Sequence, residues 1–585
     1  MAVLIQLDRA TRIQLLLGTA AVLVSVLAPA LLGSAYWTHN FLIVNLFVAV
    51  AVLQNMLLAD AGQVSFGQGA VFGLSAFTVG IVSGLWGQSF VVGLIAGVLM
   101  AVVLGLVFAL PALRVQGYYL GFVTLSAAVV FPEMLVAFDA LTNGINGITR
   151  AVPELTIPIR LGPIGLGLSW IAVLVMAVAI GALVFHAALR STRLGRQMRV
   201  SAVSPEAAMA LGLNPGALRF VAFTIAAAGT GLAGALYVPV LGFVSPYAFR
   251  VDLSIFFFFS VVIGGNGQLL GPVVGAWILY LVPNALLADL ATYRLLGYGI
   301  VALLIMLGFP DGVVGSIEKM RRRHRLRTHI APIGIDPVLT STGTWPRATS
   351  GTAISVTGAR KEFGSLAALG GVDLAIAAGT VHGLVGPNGS GKTTLLNAIS
   401  GFVALSAGQV SIRGTGTTRS PAWRIARLGV GRTFQTPRVF DEMSIWENLE
   451  IGADVRGGQS WLLGLLAAFR AQWTESRPDV LPHAQRRVLE VLRTVASDAD
   501  ILLLDEPAAG LSAAERREFA RLVRFLAEKL GKTVLLVEHD LALVWKVADR
   551  ITVLDAGLVV AEGPPDAIAS DTRVRALFTG SPVDA

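Results

Sequence analysis

The sequence contains no cysteine and few charged residues. Of its 585 residues, 14 % are Asp, Glu, Lys or Arg, whereas 55 % are hydrophobic. The absence of cysteine excludes disulfide bonds and thiolate metal sites. The low charge and the apolar excess together argue against a soluble protein. The chain is also too long for a single domain of ordinary size.

The apolar residues are concentrated before about position 310, and an ordinary globular mixture follows. Because a membrane-spanning helix needs about 20 apolar residues, we expect a polytopic helical domain of about ten spans. The stretch 251–266 is short and could belong to a broken or re-entrant element. The expected spans are 12–33, 38–59, 63–85, 88–112, 117–138, 163–190, 218–242, 251–266, 269–289 and 293–310.

Positive charges predict how the spans are oriented. Arg9 and Arg12, the loop 191–217 and the basic run 319–327 are separated by even numbers of expected spans, which places all of them in the cytoplasm. The net charge of +8 owes much to that basic run. Such a run beside a span is more typical of a cytoplasmic anchor than of a nucleic-acid patch, so no nucleic-acid partner is expected. No cleavable signal is expected either.

A few polar side chains fall inside the expected spans. Gln63, Ser65 and Gln68 lie among small residues, which permit close helix packing, and either packing or a polar path is open. Glu133 is an intramembrane carboxylate and so a functional candidate. Its neighbour Pro132 also suggests a kink near a membrane edge.

The second half begins after a segment rich in Pro, Gly, Ser and Thr. We expect a permease-like membrane domain at 1–327, a flexible linker at 328–352 and an α/β domain at 353–585. A flexible linker implies that the two halves can fold separately.

One stretch of the second half matches the phosphate-binding loop pattern G-x-x-x-x-G-K-[ST]. A short buried strand is expected before it at 381–385, and a helix after it. Its glycines allow backbone N–H groups to approach phosphate oxygens, and the helix N-terminus favours the anion. Lys392 would reach the β- and γ-phosphates, and Thr393 would hold Mg²⁺. The expected ATP-binding residues are Gly386, Pro387, Asn388, Gly389, Ser390, Gly391, Lys392, Thr393 and Thr394.

An acidic pair follows a second apolar run about a hundred residues later. The run 501–504 predicts a strand buried on both faces, and it ends in Asp505 and Glu506. Asp505 would hold Mg²⁺, and Glu506 would accept a proton from the attacking water. A helix N-cap with a first-turn Glu is the structural alternative.

Three further residues are candidates for the same site. The strand expected at 533–537 ends near His539, which could sense the γ-phosphate and orient water. Gln435 lies between the phosphate loop and Asp505 and is a candidate for both catalysis and Mg²⁺ binding. Phe363, expected to precede the first strands, could stack on adenine.

The second half resembles an ABC-transporter ATPase in the order of its motifs along the chain. They are Phe363, the phosphate loop, Gln435, the pair Asp505-Glu506 and His539. The stretches 505–511 and 431–435 resemble the first of the two ATPase subunits of branched-chain amino acid importers. The membrane half resembles a permease of the same systems at 62–67, 117–119, 241–246 and 264–268. The chain is thus similar to a permease fused to its ATP-binding subunit, which are usually separate proteins.

The loop 191–217 contains a string similar to the coupling loop of importer permeases, which packs as a short helix on the ATPase. The residues of the string are Glu206, Ala207, Ala208 and Gly212. An ordinary amphipathic surface helix is the alternative.

The resemblance implies ATP and Mg²⁺ as cofactors and a location in a bacterial inner membrane, with the ATPase domain cytoplasmic. It also implies a second permease subunit, a second ATPase subunit and a periplasmic solute-binding protein as partners.

One motif departs from the family. The signature L-S-x-G-Q should precede Asp505 by about 25 residues, and the corresponding residues are Leu481, Pro482, His483, Ala484 and Gln485. Pro482 offers neither a hydroxyl nor an N–H, and Ala484 adds a Cβ where the backbone must approach closely. We therefore expect an impaired signature, and a partner ATPase whose signature is intact.

The leading interpretation is ATP-driven import of branched-chain or related amino acids. Import of another small solute, such as urea, an amide or an aromatic acid, is open as well. The runner-up within transport is a half-exporter, because a permease followed by an ATPase in one chain is typical of exporters. Exporters resemble six long helices and lack the coupling string, whereas about ten shorter spans are expected here. A membrane regulator switched by nucleotide, without transport, is an alternative from a different class.

Overall fold

The computed structural model describes residues 9–113, 118–149, 155, 157–161, 164–283, 294–325, 339, 351–454, 460–539 and 541–579. The chain forms two compact units. The first contains residues 1–203 and 215–328, and the second contains residues 204–214 and 329–585.

The first unit is helical. Up to residue 203 its helices are α1 (Arg9–Leu31), α2 (Ala35–Asn55), α3 (Gln68–Val79), α4 (Phe90–Ala112), α5 (Tyr118–Ala137), α6 (Asp139–Thr142), α7 (Trp170–Ser191) and α8 (Arg193–Val203). A short helix, α9 (Pro205–Ala210), follows and belongs to the second unit. The first unit continues with α10 (Pro215–Leu241), α11 (Val251–Gly264), α12 (Gly271–Leu281), α13 (Arg294–Gly308) and α14 (Val313–Arg325).

Short non-α segments complete the first unit. Single π-helical turns extend α2 through Met56–Asp60 and α3 through Gly80–Leu85. Two antiparallel pairs join β1 (Ile148–Thr149) to β4 (Phe243–Val244) and β2 (Pro158–Leu161) to β3 (Ile164–Ser169).

Eight helices of the described residues are long and apolar enough to cross a membrane, and Gly271–Leu281 is a shorter apolar helix. Every expected span overlaps a helix, which confirms the polytopic helical architecture. The expected span 63–85 is wrong at its start, because residues 61–67 are not helical and α3 begins at Gln68. Gly62 adopts a positive φ of 65° there, and a Cβ on it would lie 3.0 Å from Ala202.

Close backbone approach holds the helices of this unit together. A Cβ on Gly234 of α10 would lie 2.3 Å from the Phe72 carbonyl oxygen of α3. A Cβ on Gly275 of α12 would lie 1.8 Å from the Ser260 carbonyl oxygen of α11. Small residues are therefore required at these two contacts, as is usual where membrane helices pack without intervening lipid.

The second unit is built on two sheets. The larger has the order β10 (Val430–Arg432), β11 (Ile501–Asp505), β12 (Thr533–Val537), β7 (Val381–Val385), β13 (Arg550–Asp555) and β14 (Leu558–Gly563). Its strands are parallel except for β14. The smaller sheet is antiparallel, in the order β6 (Leu366–Ala377), β5 (Thr352–Phe363), β8 (Ala407–Ile412) and β9 (Thr415–Gly416).

Helices cover the larger sheet, as expected for a parallel sheet buried on both faces. They are α15 (Lys392–Ile399), α16 (Ala422–Arg427), α17 (Ile445–Asp454), α18 (Trp461–Leu465), α19 (Arg470–Glu475), α20 (His483–Ala496), α21 (Ala513–Glu528), α22 (Leu541–Val547), α23 (Pro565–Ser570) and α24 (Thr572–Thr579). The predicted strands at 381–385, 501–504 and 533–537 are confirmed, and every residue of β7, β11 and β12 is buried.

Two expectations differ from the structure or fall outside it. Phe363 does not precede the first strands, because it is the last residue of β5. A strand of 12 residues was missed there because its alternation is broken by several register shifts against β6. Nearly all of the expected linker 328–352 lies outside the described residues.

Candidate functional site

The site lies at the carboxyl edge of the large parallel sheet. Strand register sets Asp505 of β11 beside Val537 of β12, and Val537 beside Leu384 of β7. The segments that follow these three strands therefore leave the sheet at one edge. They are the phosphate loop, the acidic pair and the segment carrying His539.

The phosphate loop joins β7 to α15 through glycines with positive φ. Gly386 has φ 154°, and a Cβ on it would lie 2.1 Å from the Leu554 carbonyl oxygen. Gly391 has φ 99°, and its Cβ would lie 2.6 Å from the Ala368 carbonyl oxygen. Only glycine fits both positions without strain. Asn388 and Gly389 are exposed at the tip, with Pro387 half-buried beside them.

Lys392 folds back across this loop. Its Nζ donates to the Gly386 carbonyl at 2.9 Å, to the Pro387 carbonyl at 2.8 Å and to Ser390 Oγ at 3.4 Å. Burial lowers the pKa of Lys392, while Glu506 and Asp505 act in the opposite direction. The loop thus holds an ammonium group inside a cradle of backbone, which suits a polyphosphate. Thr393, exposed, and Thr394, half-buried, lie in the first turn of α15.

Glu506 is in a strained conformation beside the loop of Gln435. Its φ is +44°, and its N–H donates to the Val537 carbonyl at 2.9 Å. Non-glycine residues rarely adopt this region, and such strain is concentrated at functional sites. Gln435 Nε2 donates to Glu506 Oε2 at 2.9 Å. The structure therefore brings together two residues that lie 71 positions apart in the sequence.

Asp505 is buried and paired with Arg432, which the sequence analysis missed. Arg432 Nη2 lies 3.4 Å from Asp505 Oδ2, and its Nη1 donates to Ser400 Oγ at 2.6 Å. Its guanidinium also lies over the rings of Phe402 and Phe434, at 5.1 and 5.3 Å. Burial raises the pKa of Asp505, and Arg432 opposes that rise. An Arg at the end of an apolar strand was the available signal.

His539 and Phe363 lie at the rim. His539 Nδ1 is 3.9 Å from Glu506 Oε2 and 3.8 Å from Glu538 Oε2, and 59 % of its side chain is exposed. Phe363 is 49 % exposed, and Lys361 Nζ lies 4.8 Å from its ring centroid. An exposed ring is free to accept a flat ligand on its face.

Oxygen donors suited to Mg²⁺ are present near the loop. They are the Thr393 hydroxyl, the Asp505 carboxylate and the Gln435 amide. The described residues contain no cluster of three or more His, Asp or Glu side chains that could hold a metal without other ligands. Mg²⁺ usually binds through one or two carboxylates plus substrate phosphates, so this donor set fits Mg²⁺ only together with a nucleotide.

The signature residues form the start of α20. Leu481 is buried, Pro482 and His483 are exposed, and Ala484 and Gln485 are half-buried. Pro482 is the N-cap of the helix, with no side-chain hydrogen bond. It therefore places a residue without an N–H at the point where the family has Ser.

The segment 204–214, which we call the coupling segment, belongs to the second unit. Ser204 caps α9 by accepting from the Ala207 N–H at 3.3 Å, and Ala207 and Ala208 are buried. Glu206 Oε2 accepts from Arg438 Nη1 at 2.8 Å. The segment forms a short helix at Pro205–Ala210 and belongs to the second unit.

Two arginines of the second unit, which the sequence analysis missed, bind this segment. Arg438 also donates to Ser204 Oγ at 2.9 Å. Arg427 Nε donates to the carbonyl oxygen of Gly212 at 2.9 Å, where Gly212 has a positive φ of 85°. Because these partners lie more than 200 positions away in the sequence, spacing could not identify them.

Gln63, Ser65 and Gln68 lie inside the first unit, and Gln63 Oε1 is buried without a hydrogen-bond partner among the described residues. Gln68 Oε1 accepts from Thr230 Oγ1 at 2.7 Å, Gln63 Nε2 donates to the Ala61 carbonyl, and Ser65 is buried. These contacts favour the packing interpretation. Glu133 has an exposed side chain.

A buried ionic cluster of the first unit was missed. His186 Nε2 lies 2.6 Å from Asp60 Oδ2, and Arg190 Nε lies 3.2 Å from Asp60 Oδ1. Asp60 ends the π-turn after α2, whereas the other two residues are on α7.

Comparison with known proteins matches both halves. Residues 38–309 match the family described as branched-chain amino acid transport system, permease component, and residues 369–509 match the ABC transporter family. The branched-chain amino acid transport ATP-binding protein LivG of Escherichia coli is 36 % identical, over 39 % of this chain and 97 % of the relative. BraF of Pseudomonas aeruginosa, described in the same words, is 35 % identical over 39 % and 97 %.

A solved ATP-binding cassette of an ABC transporter in its ADP conformation is 27 % identical, covering 40 % of this chain and all of that chain, with a TM-score of 0.36. The relatives and the geometry agree that the second unit is an ABC ATPase, an ATP hydrolase that acts in transport. The chain therefore belongs to the branched-chain amino acid ABC transporter family, with permease and ATP-binding parts in one polypeptide.

Proposed function

We propose that the chain imports branched-chain or related amino acids across a bacterial inner membrane, driven by ATP. Residues 1–327 act as the permease, 328–352 as the linker and 353–585 as the cytoplasmic ATPase. The single observation that carries the proposal is the coupling segment. It lies between permease helices in the sequence, yet it belongs to the ATPase unit through Arg438 and Arg427.

In this proposal ATP is the substrate, and hydrolysis of its β–γ phosphoanhydride bond to ADP and phosphate drives transport. Lys392 and the loop N–H groups would bind the phosphates, Phe363 would stack on the base, and Thr393, Asp505 and Gln435 would hold the metal. Glu506 accepts a proton from water, since its carboxylate lies at the strand end beside Gln435. His539, within 3.9 Å of Glu506, orients that water.

The partners follow from the signature. In this family the signature of one ATPase completes the site of the other, and here Pro482 and Ala484 weaken that contribution. Two copies of this chain would pair each intact phosphate loop with an impaired signature. We infer a second permease and a different ATPase with an intact signature, together with a periplasmic binding protein that selects the solute.

ATPase measurement tests the pairing. The chain is purified alone and then with its candidate partner ATPase, and turnover is compared. Losing one preorganised donor costs about 10²–10³ in rate, so the chain alone should be slow and the pair fast. Strong solute-stimulated turnover by the chain alone would refute the asymmetric assembly. Solute-independent turnover in every assembly would favour the nucleotide-switched regulator instead.

A further inference from the structure

Helix α20 carries three buried charged side chains on one face. Arg487, Glu490 and Arg493 are spaced three residues apart, and their exposed fractions are 0, 0 and 3 %. We call them the α20 charge row. The helix begins at His483, so the row follows directly on the signature residues.

The charge row binds the backbone of the loop that carries Gln435. Arg487 Nη1 and Nη2 donate to the carbonyl oxygens of Phe434 and Gln435. Glu490 Oε1 accepts from the N–H of Phe434 at 3.4 Å and from the N–H of Arg438 at 3.0 Å.

Arg493, the third residue of the charge row, binds the C-terminal end of the loop. Arg493 Nη2 donates to the Arg438 carbonyl oxygen at 2.6 Å, and its guanidinium lies 4.5 Å from the ring centroid of Phe440. Within the row, Arg487 Nη1 lies 3.3 Å from Glu490 Oε2. Both ends of the segment 434–438 are thus attached to one helix through backbone groups of the loop.

Burying three charges is costly unless each is compensated. Burial raises the pKa of Glu490 and lowers the pKa of Arg493 to about 10. Arg487 and Arg493 share the carboxylate of Glu490, and all three side chains hydrogen-bond the loop backbone. The loop therefore cannot leave the helix without removing hydrogen-bond partners from buried charged groups. The loop and α20 are therefore expected to move together as one rigid body.

The side chains of this loop point to two other places. Gln435 reaches Glu506 at 2.9 Å, and Arg438 reaches Glu206 of the coupling segment at 2.8 Å. If the coupling segment moves and displaces Arg438, the force acts on the side chains that bind the backbone of the Gln435 loop. These side chains are the charge row of α20, the helix that begins at the signature residues.

We propose that Arg487, Glu490 and Arg493 are positioning residues that fix the Gln435 loop to α20. Through them the coupling segment acts on the signature, and hence on the partner's ATP site, as well as on Glu506. This second step rests on the proposed function, whereas the fixing of the loop does not.

A nitroxide label tests the fixing directly. The chain has no cysteine, so Thr436→Cys, at an exposed loop position, gives a single attachment site in the full-length protein. Glu490→Gln keeps an oxygen that accepts both loop N–H groups, whereas Glu490→Met removes it. The label should remain immobile in the parent and in Glu490→Gln, and its electron paramagnetic resonance spectrum should narrow in Glu490→Met.

A second disrupting variant and a matched control complete this test. Arg487→Met/Glu490→Met removes one charge of each sign, so the net charge of the row stays the same, and it should also free the label. Arg486→Met, on the same helix but paired with Asp441 at the surface, is the matched control and should leave the spectrum unchanged. An immobile label in both Glu490→Met and the double variant would overturn the proposal, and so would equal mobility in Glu490→Gln.

The functional step is read from the ratio of solute-stimulated to basal ATPase in the assembly with partner subunits. Allosteric coupling is typically worth about 5- to 150-fold, so Glu490→Met should lower this ratio about fivefold or more, and Glu490→Gln should preserve it. An unchanged ratio with a mobile label would overturn the transmission through α20. If the parent itself shows no solute stimulation, the proposed function fails, while the label still decides whether the row fixes the loop.

Discussion

The ion pair between Glu206 and Arg438 gives a quantitative prediction about coupling. Arg438 Nη1 lies 2.8 Å from Glu206 Oε2, and the side chains are 40 % and 49 % exposed. An ion pair this exposed contributes about 0.2–1 kcal/mol. That energy corresponds to a factor of about 1.4–5 in an equilibrium constant.

The assay is a double-mutant cycle on the solute-stimulated ATPase of the assembled transporter. Glu206→Gln should reduce stimulation by the factor above, because the hydrogen bond survives but the charge does not. Arg438→Met should cost more, since Arg438 also donates to Ser204 and lies 4.8 Å from the ring centroid of Phe434. The double variant should show an interaction energy of about 0.2–1 kcal/mol between the two sites.

Two comparisons make the cycle specific. Salt screens exposed charges, so the interaction energy should shrink as ionic strength rises. Glu562→Gln removes a similar surface pair, between Arg550 and Glu562 at 3.1 Å, and should leave stimulation unchanged. Strictly additive effects of Glu206→Gln and Arg438→Met would refute the reasoning that this pair transmits coupling.

Three further predictions concern the ATPase. Glu506→Gln should keep ATP binding, measured by nucleotide titration, and lower hydrolysis about 10²–10⁴-fold, and undiminished turnover would contradict its role as base. Burial lowers the pKa of His382 from 6.5 to about 4. Between these two pH values the unfolded chain binds a proton that the folded chain does not, so the free energy of unfolding falls by up to about 3 kcal/mol as the pH is lowered. The midpoint of thermal unfolding of the ATPase unit should therefore drop less between pH 7 and 5.5 in His382→Met, and identical slopes would refute the assignment. Glu506→Gln in this chain silences its own ATP site, so the remaining ATP turnover reports the partner's site. In that background Pro482→Ser with Ala484→Gly should raise the turnover, and an unchanged turnover would mean that the signature does not limit the partner's site.

Local patterns were sufficient for much of the ATPase. The mainly apolar runs that form β7, β11 and β12 are buried strands because both faces of the parallel sheet are covered. His382, a buried polar residue of β7, lies within hydrogen-bond distance of Thr552. The phosphate loop was also identifiable, since its spacing and glycines act within eight consecutive residues. Asp505 and Glu506 followed from their position at the end of β11.

Contacts between distant residues could not be predicted. Arg432 meets Asp505 across 73 positions, and Arg438 meets Glu206 across 232. The position of Arg432 at a strand end suggests that it is buried, but it does not identify the partner, and nothing local distinguishes Arg438 from a solvent-exposed arginine, because the packing of separate elements determines both partners. The same reason conceals the pair of Asp60 and His186, 126 positions apart.

Span boundaries failed where hydropathy does not report backbone geometry. Residues 61–67 are apolar enough for a helix, yet Gly62 turns the chain with a positive φ against Ala202. Hydropathy averages over about 19 residues, so it locates a span but not the residue at which the helix begins.

The central claim is that this chain couples ATP hydrolysis to amino acid import, and uptake into proteoliposomes tests it most directly. The chain is reconstituted with a second permease, the partner ATPase and a binding protein loaded with labelled leucine, and ATP is supplied on the ATPase side. We expect ATP-dependent accumulation of leucine that is lost in Glu506→Gln and in Lys392→Ala. Accumulation that persists in both variants, or ATP hydrolysis without uptake of leucine or of any related small solute, would contradict the account.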